Sequence, residues 1–253
     1  MVEAPAVNRQ DSLKAIADEV ARALSYARIR GNGVFVSTAV SYPNGSTVVV
    51  RLDEDRDGYF VSDDGHASFI AETMGANFTF TRVAPSVAER AGVKFDQRCF
   101  FILHVSREQL PAAVAAIANV SSRAVERTIY ALEKERVGRS RDVFESRLKE
   151  AFGSKATFNV TVRGAQREWE FEGAVTADHH VATLFAFVAP AFAAIAAANL
   201  KIGDVRSASD APRVVATLAD YRKTDPALRS ILSTSADLVM AANDDVGRYR
   251  SAA

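Results

Sequence analysis

Apolar residues recur first at helical and then at strand spacing in the opening part of this chain. The run 13–27 keeps apolar residues on one helical face, with Asp11 or Ser12 as the cap and Gly31-Asn32-Gly33 as the stop. Three strand-like runs follow at 34–42, 47–52 and 59–62. The turns between them are short enough for hairpins, so the pattern predicts an antiparallel meander.

The rest of the first half alternates helical patterns with one further strand. The predicted elements are short helices at 66–74 and 85–90, a strand at 99–105 and a long helical region at 108–137. Pro111 falls in the first turn of the long helix, where a missing N–H is tolerated. Together these elements predict an α+β domain over residues 1–138.

The second half opens with a helix and continues as strands separated by helices. The predicted elements are a helix at 142–152, strands at 157–162, around Trp169 and at 181–188, a helix at 191–200, a strand at 213–218, a helix at 226–232 and a strand at 237–242. The closing order of strand, helix, strand, helix, strand predicts parallel pairing. We therefore expect an α/β domain over residues 139–253.

Alternation along the first two strands of this domain indicates which side chains face its core. Phe158, Val160 and Val162 share one face of the first strand. In the second strand Trp169, Phe171 and Val175 face inward, and the glutamates Glu168, Glu170 and Glu172 face away. The third strand is apolar on both faces, which is typical of a central strand covered on two sides.

Three segments of the first half resemble a known bacterial family. They are Val34-Phe35-Val36-Ser37-Thr38, Tyr42-Pro43-Asn44-Gly45-Ser46 and Tyr59-Phe60-Val61-Ser62-Asp63-Asp64-Gly65. The likeness is to the prophage-associated domain-of-unknown-function family 1828, in which a second, separately named domain commonly follows. The resemblance implies an α+β module in a prophage or mobile-element setting, and it brings no known activity or catalytic residues.

The element order of the second half resembles the restriction-endonuclease-like (PD-(D/E)xK) fold. Such a core implies a carboxylate on its second strand, which Glu170 or Glu172 would supply, and an acid-x-lysine pair on its third. The third-strand positions hold Phe185 and Phe187, so the motif is missing. Lys201 or Asp204 would have to migrate into the site. The resemblance therefore implies a catalytically inactive version of the fold.

The balance of charged residues limits the partners that the whole chain could attract. Lys plus Arg and Asp plus Glu number 31 each, so no global basic field draws the protein to nucleic acid or to an anionic membrane. A local patch of Arg136, Arg139 and Arg141 remains a candidate for phosphate contacts.

Cys99 is the single cysteine and reads as a buried structural thiol, which fits a reducing, cytoplasmic setting. Neither 1–10 nor 181–200 reads as a signal or a membrane span.

Two acidic segments are candidate sites. Asp53, Asp55, Asp57 and Asp64 match the spacing of a calcium loop, although the flanks are strands and the twelfth ligand is not glutamate; a hairpin tip is the favoured interpretation. In Asp63-Asp64-Gly65-His66 we expect Asp64 to cap the next helix rather than to catalyse. Asp178-His179-His180 reads as an exposed loop without a metal.

The sequence thus favours a non-enzymatic protein that binds a host protein or nucleic acid. The alternative is a divergent Mg²⁺-dependent nuclease that uses Glu170 and Glu172, and a third hypothesis is a module stabilised by Ca²⁺ at Asp53–Asp64. No other cofactor and no membrane partner are expected. Association into a homo-oligomer is left open, because composition does not separate a core from an interface. No phosphate-binding loop, dinucleotide fingerprint or hydrolase triad is present in the sequence.

Overall fold

A computed structural model describes residues 9–31, 33–177 and 180–253, with side chains from Leu13 onward. The chain divides into two compact units, Met1–Glu133 and Lys134–Ala253. The fold is mixed α+β with two sheets, one belonging to each unit.

The first unit is built on a six-stranded sheet. Its elements are α1 (Arg9–Leu24), β1 (Tyr26–Arg30), β2 (Gly33–Ser41), β3 (Thr47–Asp55), β4 (Gly58–Ser62), α2 (His66–Thr73), α3 (Asn77–Arg90), β5 (Lys94–Asp96), β6 (Cys99–Val105) and the first part of α4 (Leu110–Phe152). The strand order is β1-β2-β3-β4-β6-β5, with antiparallel pairing throughout. The predicted meander is confirmed.

The core of this unit lies between the sheet and its helices. Val50 of β3, Val61 of β4 and Phe100 of β6 are buried against Phe80 of α3 and Ile117 of α4. Phe80 and Phe100 meet edge to face, with ring centroids 6.2 Å apart. Burial of such a side chain stabilises the fold by about 1.5–3 kcal/mol.

The first helix ends earlier than its apolar spacing predicts. α1 stops at Leu24, and Ala27 lies in β1, an exposed strand at the edge of the sheet. The apolar face of α1 is exposed, since Leu13, Ile16 and Val20 each keep about half of their surface. Apolar spacing predicted the helix correctly but extended it past its observed end at Leu24.

Helix α4 is continuous where the sequence predicted two helices. It runs through Gly138, beside which a side chain would meet nothing within 4 Å. An exposed glycine costs a helix about 1 kcal/mol, which 43 residues of helix tolerate. The part before Lys134 belongs to the first unit and the remainder to the second.

The second unit is built on a five-stranded mixed sheet. After α4 its elements are β7 (Ala156–Arg163), β8 (Glu168–Ala177), β9 (His180–Val188), α5 (Phe192–Arg206), β10 (Arg213–Leu218), α6 (Pro226–Ser235), β11 (Leu238–Ala241) and α7 (Val246–Ala252). The sheet order is β11-β10-β9-β8-β7. The pairs β7–β8 and β8–β9 are antiparallel, and β9–β10 and β10–β11 are parallel, which confirms the predicted pairing.

Both faces of this sheet are covered, as the apolar pattern of β9 predicted. Leu184 and Ala186 pack in one cluster with Ile202 of α5, and Phe185 packs in the other with Phe144 of α4. The prediction of one inward face on β7 is wrong. Phe158 packs in the α4 cluster, but Val160 and Val162 pack in the α5 cluster. Asn159 lies between them with a positive φ of 53°, and at this residue the inward side chains change from one face of the sheet to the other.

The carboxyl ends of three parallel strands align at one edge of the sheet. The N–H of Ala219, just after β10, donates to the carbonyl of Val188 at the end of β9, 2.9 Å away. The N–H of Ala242, just after β11, donates in the same way to Leu218. These bonds fix the loops that follow β10 and β11 beside one another, at the edge where open α/β sheets hold ligands.

Candidate nucleic-acid interface

A cleft of about 680 Å³ opens at the carboxyl ends of β10 and β11. One wall is the face of α4 that carries Arg136, Arg139, Ser140 and Val143, at spacings of three and four residues. The other walls are the loops after β10 and β11. They contribute Ala219, Asp220, Tyr221, Arg222, Ala241, Asn243 and Asp244. We refer to this feature as the arginine cleft.

The lining of the arginine cleft holds three arginines and two carboxylates, which leaves it with a net positive charge. In the described part of the chain, the guanidinium groups of Arg136, Arg139 and Arg222 make no ion pair or hydrogen bond. The two carboxylates in the cleft are directed at backbone instead. Asp220 accepts the N–H of Lys223 at 3.0 Å, and Asp244 accepts the N–H of Ala241 at 3.0 Å.

Arg141, the third arginine of the predicted patch, lies on another face of α4. Its guanidinium pairs with Glu145 at 3.4 Å and lies 5.9 Å from the ring centroid of Phe187. It does not line the cleft. The structure therefore brings Arg136 and Arg139 together with Arg222, and it places Arg141 elsewhere.

Tyr221 and Arg222 were not predicted as site residues, although their position directly after a strand points to such a role. Tyr221 is partly exposed in the cleft, and the Arg229 guanidinium carbon lies 4.5 Å from its ring centroid. Both cleft residues follow a short apolar strand in a strand-helix-strand pattern. Loops at such carboxyl ends are where binding residues concentrate, so this position points to them.

A second group of charges lies where β8 and β9 separate. β8 pairs with β9 over Gly173–Ala177, and the segment before Gly173 keeps its pairing with β7. The carboxylate of Glu172 enters the opening and accepts the backbone N–H of Phe187 at 3.0 Å. The Nζ of Lys201, from α5, lies 3.3 Å from the same oxygen and donates to the Glu170 carbonyl at 2.9 Å.

The prediction that Glu172 faces away into solvent is therefore wrong. Its side chain is 22% exposed and that of Lys201 is 13% exposed, so the pair is mostly buried. The strict alternation that gave the prediction holds in a paired strand, and Glu172 lies at the point where pairing stops. The side chain of Glu170 is exposed, as predicted, and its carbonyl rather than its carboxylate contacts Lys201.

Asp204 is not available to this group of charges. Its carboxylate accepts the indole N–H of Trp169 at 2.7 Å and the backbone N–H groups of Gln166 and Arg167 at 3.0 and 3.3 Å. The Trp169 hydrogen bond is the main reason why the pKa of Asp204 lies below its usual range. Asp204 thus fixes the turn between β7 and β8.

An arginine side chain bridges two of the four aspartates of the calcium-like loop. Arg51 lies 2.8 Å from Asp53 and 3.2 Å from Asp64. Asp55 faces His104 at 3.7 Å, and Asp57 lies in the exposed turn between β3 and β4. Within the ranges the structure describes, no group of three or more His, Cys, Asp or Glu residues is placed to hold a metal ion.

The helix after β4 is capped by Asp63, and the prediction of Asp64 is wrong. The buried carboxylate of Asp63 accepts the N–H of Gly65 just before the helix, that of Ala67 in its first turn, and that of Phe100 in β6 at 2.8 Å. Asp64 adopts a positive φ of 50° and turns towards Arg51. Burial raises the pKa of Asp63, against the lowering effect of its three backbone donors.

Cys99 and His180 each begin a strand, β6 and β9 respectively. Cys99 is half-buried rather than fully buried, and burial raises the pKa of its thiol, consistent with a structural role. Of the segment Asp178-His179-His180, the first two residues lie outside the described residues, and His180 begins β9. Across the residues that are described, no helix combines the length and apolar composition needed to cross a membrane.

Comparisons with known proteins supply no relative for this chain. No protein-family model matches it, and neither the curated proteins nor the solved structures that were searched contain a match.

Proposed function

We propose that this protein binds nucleic acid through the phosphate backbone, at the arginine cleft, without cleaving it. The observation that carries the proposal is the set of three cleft guanidiniums, Arg136, Arg139 and Arg222, that form no ion pair or hydrogen bond with any described residue. Guanidinium forks match phosphate oxygens in geometry and charge, and backbone phosphates supply most of the affinity of such complexes.

The position and size of the cleft support the same proposal. It lies at the carboxyl ends of parallel strands, the edge at which sheets of this kind receive ligands. Its volume of about 680 Å³ accommodates a nucleotide-sized group. Because acidic and basic residues balance at 31 each, the affinity must come from this local surface rather than from net charge.

The absence of cleavage in the proposal rests on the chemistry of the nuclease-like strands. The meander β7-β8-β9 followed by the parallel strand β10 is the order that led us to the restriction-endonuclease-like fold. At the third-strand positions of that fold, Phe185 is buried and Phe187 packs against Phe144. We infer an inactive version of the fold, joined to a first unit of prophage or mobile-element type.

The second candidate is a divergent metal-dependent nuclease. It is favoured by the position of Glu172, a carboxylate beside a lysine at the point where two sheet strands separate. Mg²⁺ would have to displace Lys201 and recruit Glu170, which is exposed nearby on the same strand. Incubation of labelled duplex with Mg²⁺ or Mn²⁺ tests this candidate, and Glu172→Ala should abolish any cleavage that appears.

Fluorescence anisotropy with labelled duplex and single-stranded DNA tests the proposed binding. We expect a stable rise that weakens as salt is added, because bound phosphates release counterions. The variant R136Q/R139Q/R222Q should bind much more weakly. If all three arginines contact phosphates, its slope of log affinity against log salt should be shallower by about two to three.

The matched control is R56Q/R107Q/R248Q, which removes three exposed arginines outside the cleft. It changes the net charge equally and should leave affinity and salt slope nearly unchanged. Equal weakening by both variants would show diffuse attraction and overturn the cleft assignment. If the unaltered protein gives no anisotropy change at low salt, nucleic-acid binding is wrong, and a host protein becomes the partner to seek.

A further inference from the structure

A second, smaller pocket lies in the first unit, between α3 and α4, and has no part in the proposal above. Its volume is about 220 Å³. From α3 and its end come Val87, Arg90 and Ala91; α4 contributes Ala116, Asn119, Val120, Arg123 and Arg127. The α4 residues recur at spacings of three and four, so they form one continuous helical face.

The pocket combines an apolar floor with a cationic rim. Val87 and Val120 are buried, at 3% and 4% exposure, while Arg90 and Arg123 are exposed and Arg127 is half-buried. None of these three guanidiniums forms an ion pair or hydrogen bond with another described residue. No acidic side chain lines the pocket. Like charges four apart on a helix, such as Arg123 and Arg127, repel one another, and an anion between them would remove that cost.

We propose that this pocket binds a small amphiphilic anion: a carboxylate or phosphate head held by the arginines, with a short apolar group against the apolar floor. The head is specified by the guanidinium forks, which bind both kinds of oxyanion through paired hydrogen bonds. The apolar group is specified by the floor, where the exposed Ala91 and the half-buried Ala116 add accessible apolar surface to the buried valines. The volume lies below the range of about 300–1,000 Å³ for drug-sized ligands, which limits the ligand to about the size of benzoate.

Fluorine NMR of three probes tests the proposal on the full-length protein. The probes are 4-fluorobenzoate, 4-fluorophenyl phosphate and the neutral 4-fluorobenzamide. We expect the anions to shift or broaden on addition of protein and the amide to remain unchanged. The anion whose fluorine signal changes more on addition of protein identifies the preferred head group. Equal responses of the amide and the anions would overturn the proposal, as would no response from any probe.

Two variants separate the pocket from other surfaces. R123Q/R127Q should weaken anion binding about tenfold or more, because it removes two of the three guanidinium groups that would hold the head. Ala116→Leu keeps every charge but fills the pocket, and it should also weaken binding. R56Q/R107Q, which removes two exposed arginines outside both pockets, is the charge-matched control and should bind normally. Unchanged binding by Ala116→Leu, in a protein that melts as the unaltered chain does, would place the anion elsewhere and defeat the proposal.

Discussion

The Oε2 atom of Glu172 lies 3.3 Å from the Nζ of Lys201 and also accepts the backbone N–H of Phe187 at 3.0 Å. One carboxylate therefore joins three elements: β8, on which it lies, β9 through the backbone, and α5 through the lysine. The Glu172 side chain thereby closes the gap between two separating strands.

Removal of either partner of this pair should destabilise the second unit. Lys201→Met leaves a mostly buried carboxylate with the Phe187 N–H as its donor, and we expect a loss of about 1–3 kcal/mol in the free energy of unfolding. Glu172→Gln keeps an acceptor for Phe187 and should cost less. Urea unfolding of both variants and of the double variant measures the coupling. Strictly additive losses would mean that the two side chains do not interact.

Asp63 should be among the most sensitive positions of the first unit. Asp63→Ala removes the acceptor of three backbone N–H groups, including the buried one of Phe100, and should cost about 2–4 kcal/mol. Asp63→Asn keeps one oxygen and should cost less. Hydrogen exchange at Ala67 and Phe100 reports the loss directly. Normal protection of both amides in Asp63→Ala would refute the capping role.

The raised pKa of Asp63 gives these variants a pH dependence of known sign. A carboxyl that holds its proton more tightly when folded stabilises the protein fully below its unfolded pKa of 3.8. That contribution is lost as the pH rises through the higher folded pKa. Asp63→Asn has no such titration, so it should compare more favourably with the unaltered protein at neutral pH than in acid. Melting temperatures measured from acid to neutral pH check the direction.

Most strands, and the pairing of several, were predictable from this sequence because their residue patterns are local. The bounds of β6 and β10 match the predicted runs, and the apolar run of β9 indicated a central strand correctly. β1 and β5 were not predicted, since β1 continues the apolar spacing of α1 and β5 has three residues. Edge strands bury little, so their sequences are weakly constrained.

The candidate site was predictable in part, for a physical reason. Arg136 and Arg139 are separated by one helical turn, so their shared face followed from sequence alone. Arg222 joins them through the fold, more than 80 positions along the chain. The environment of Glu172 was not predicted because it depends on where two strands stop pairing, and the spacing of apolar residues does not indicate that point.

The stability of the second unit should depend on pH through the carboxylate of Asp204, which holds the turn between β7 and β8. Its pKa is lowered, mainly by the Trp169 indole N–H, so its contribution is present above the unfolded value of 3.8 and is lost as the pH falls. Asp204→Asn should melt below the unaltered protein at neutral pH and approach it in acid. Trp169 is the single tryptophan, so its emission reports the turn. A constant difference between the two proteins at every pH would contradict the assignment.

Calcium should leave the first unit unaffected. Asp53 and Asp64 are already bridged by Arg51, and Asp55 is directed towards His104, so the four aspartates do not converge on one point. We expect the melting temperature to be the same with Ca²⁺, with Mg²⁺ and with a chelator. A rise specific to Ca²⁺ would show that the ion displaces Arg51 and would restore the calcium-loop hypothesis. Arg51→Gln, which removes the bridge, is the variant in which a weak rise should be sought.

Tyr221 should distinguish single-stranded from duplex DNA at the arginine cleft. One side of its ring carries the Arg229 guanidinium, and the partly exposed ring lies beside Arg222 and Asn243 in the same cleft. An unstacked base can lie on such a ring, whereas a base within a duplex cannot reach it. Base stacking on an aromatic side chain is worth about 1–3 kcal/mol, so Tyr221→Ala should weaken single-strand binding roughly five- to hundredfold.

The ring, rather than the hydroxyl, carries this prediction about Tyr221. Tyr221→Phe should therefore retain nearly full affinity for single strands, and both variants should bind duplex as the unaltered protein does. Anisotropy titrations of the three proteins against both DNA forms, at one fixed salt concentration, decide the matter. Equal loss for duplex and single strand in Tyr221→Ala would mean that the ring shapes the cleft without touching a base. An unchanged single-strand affinity would limit the interface to the arginines and their phosphates.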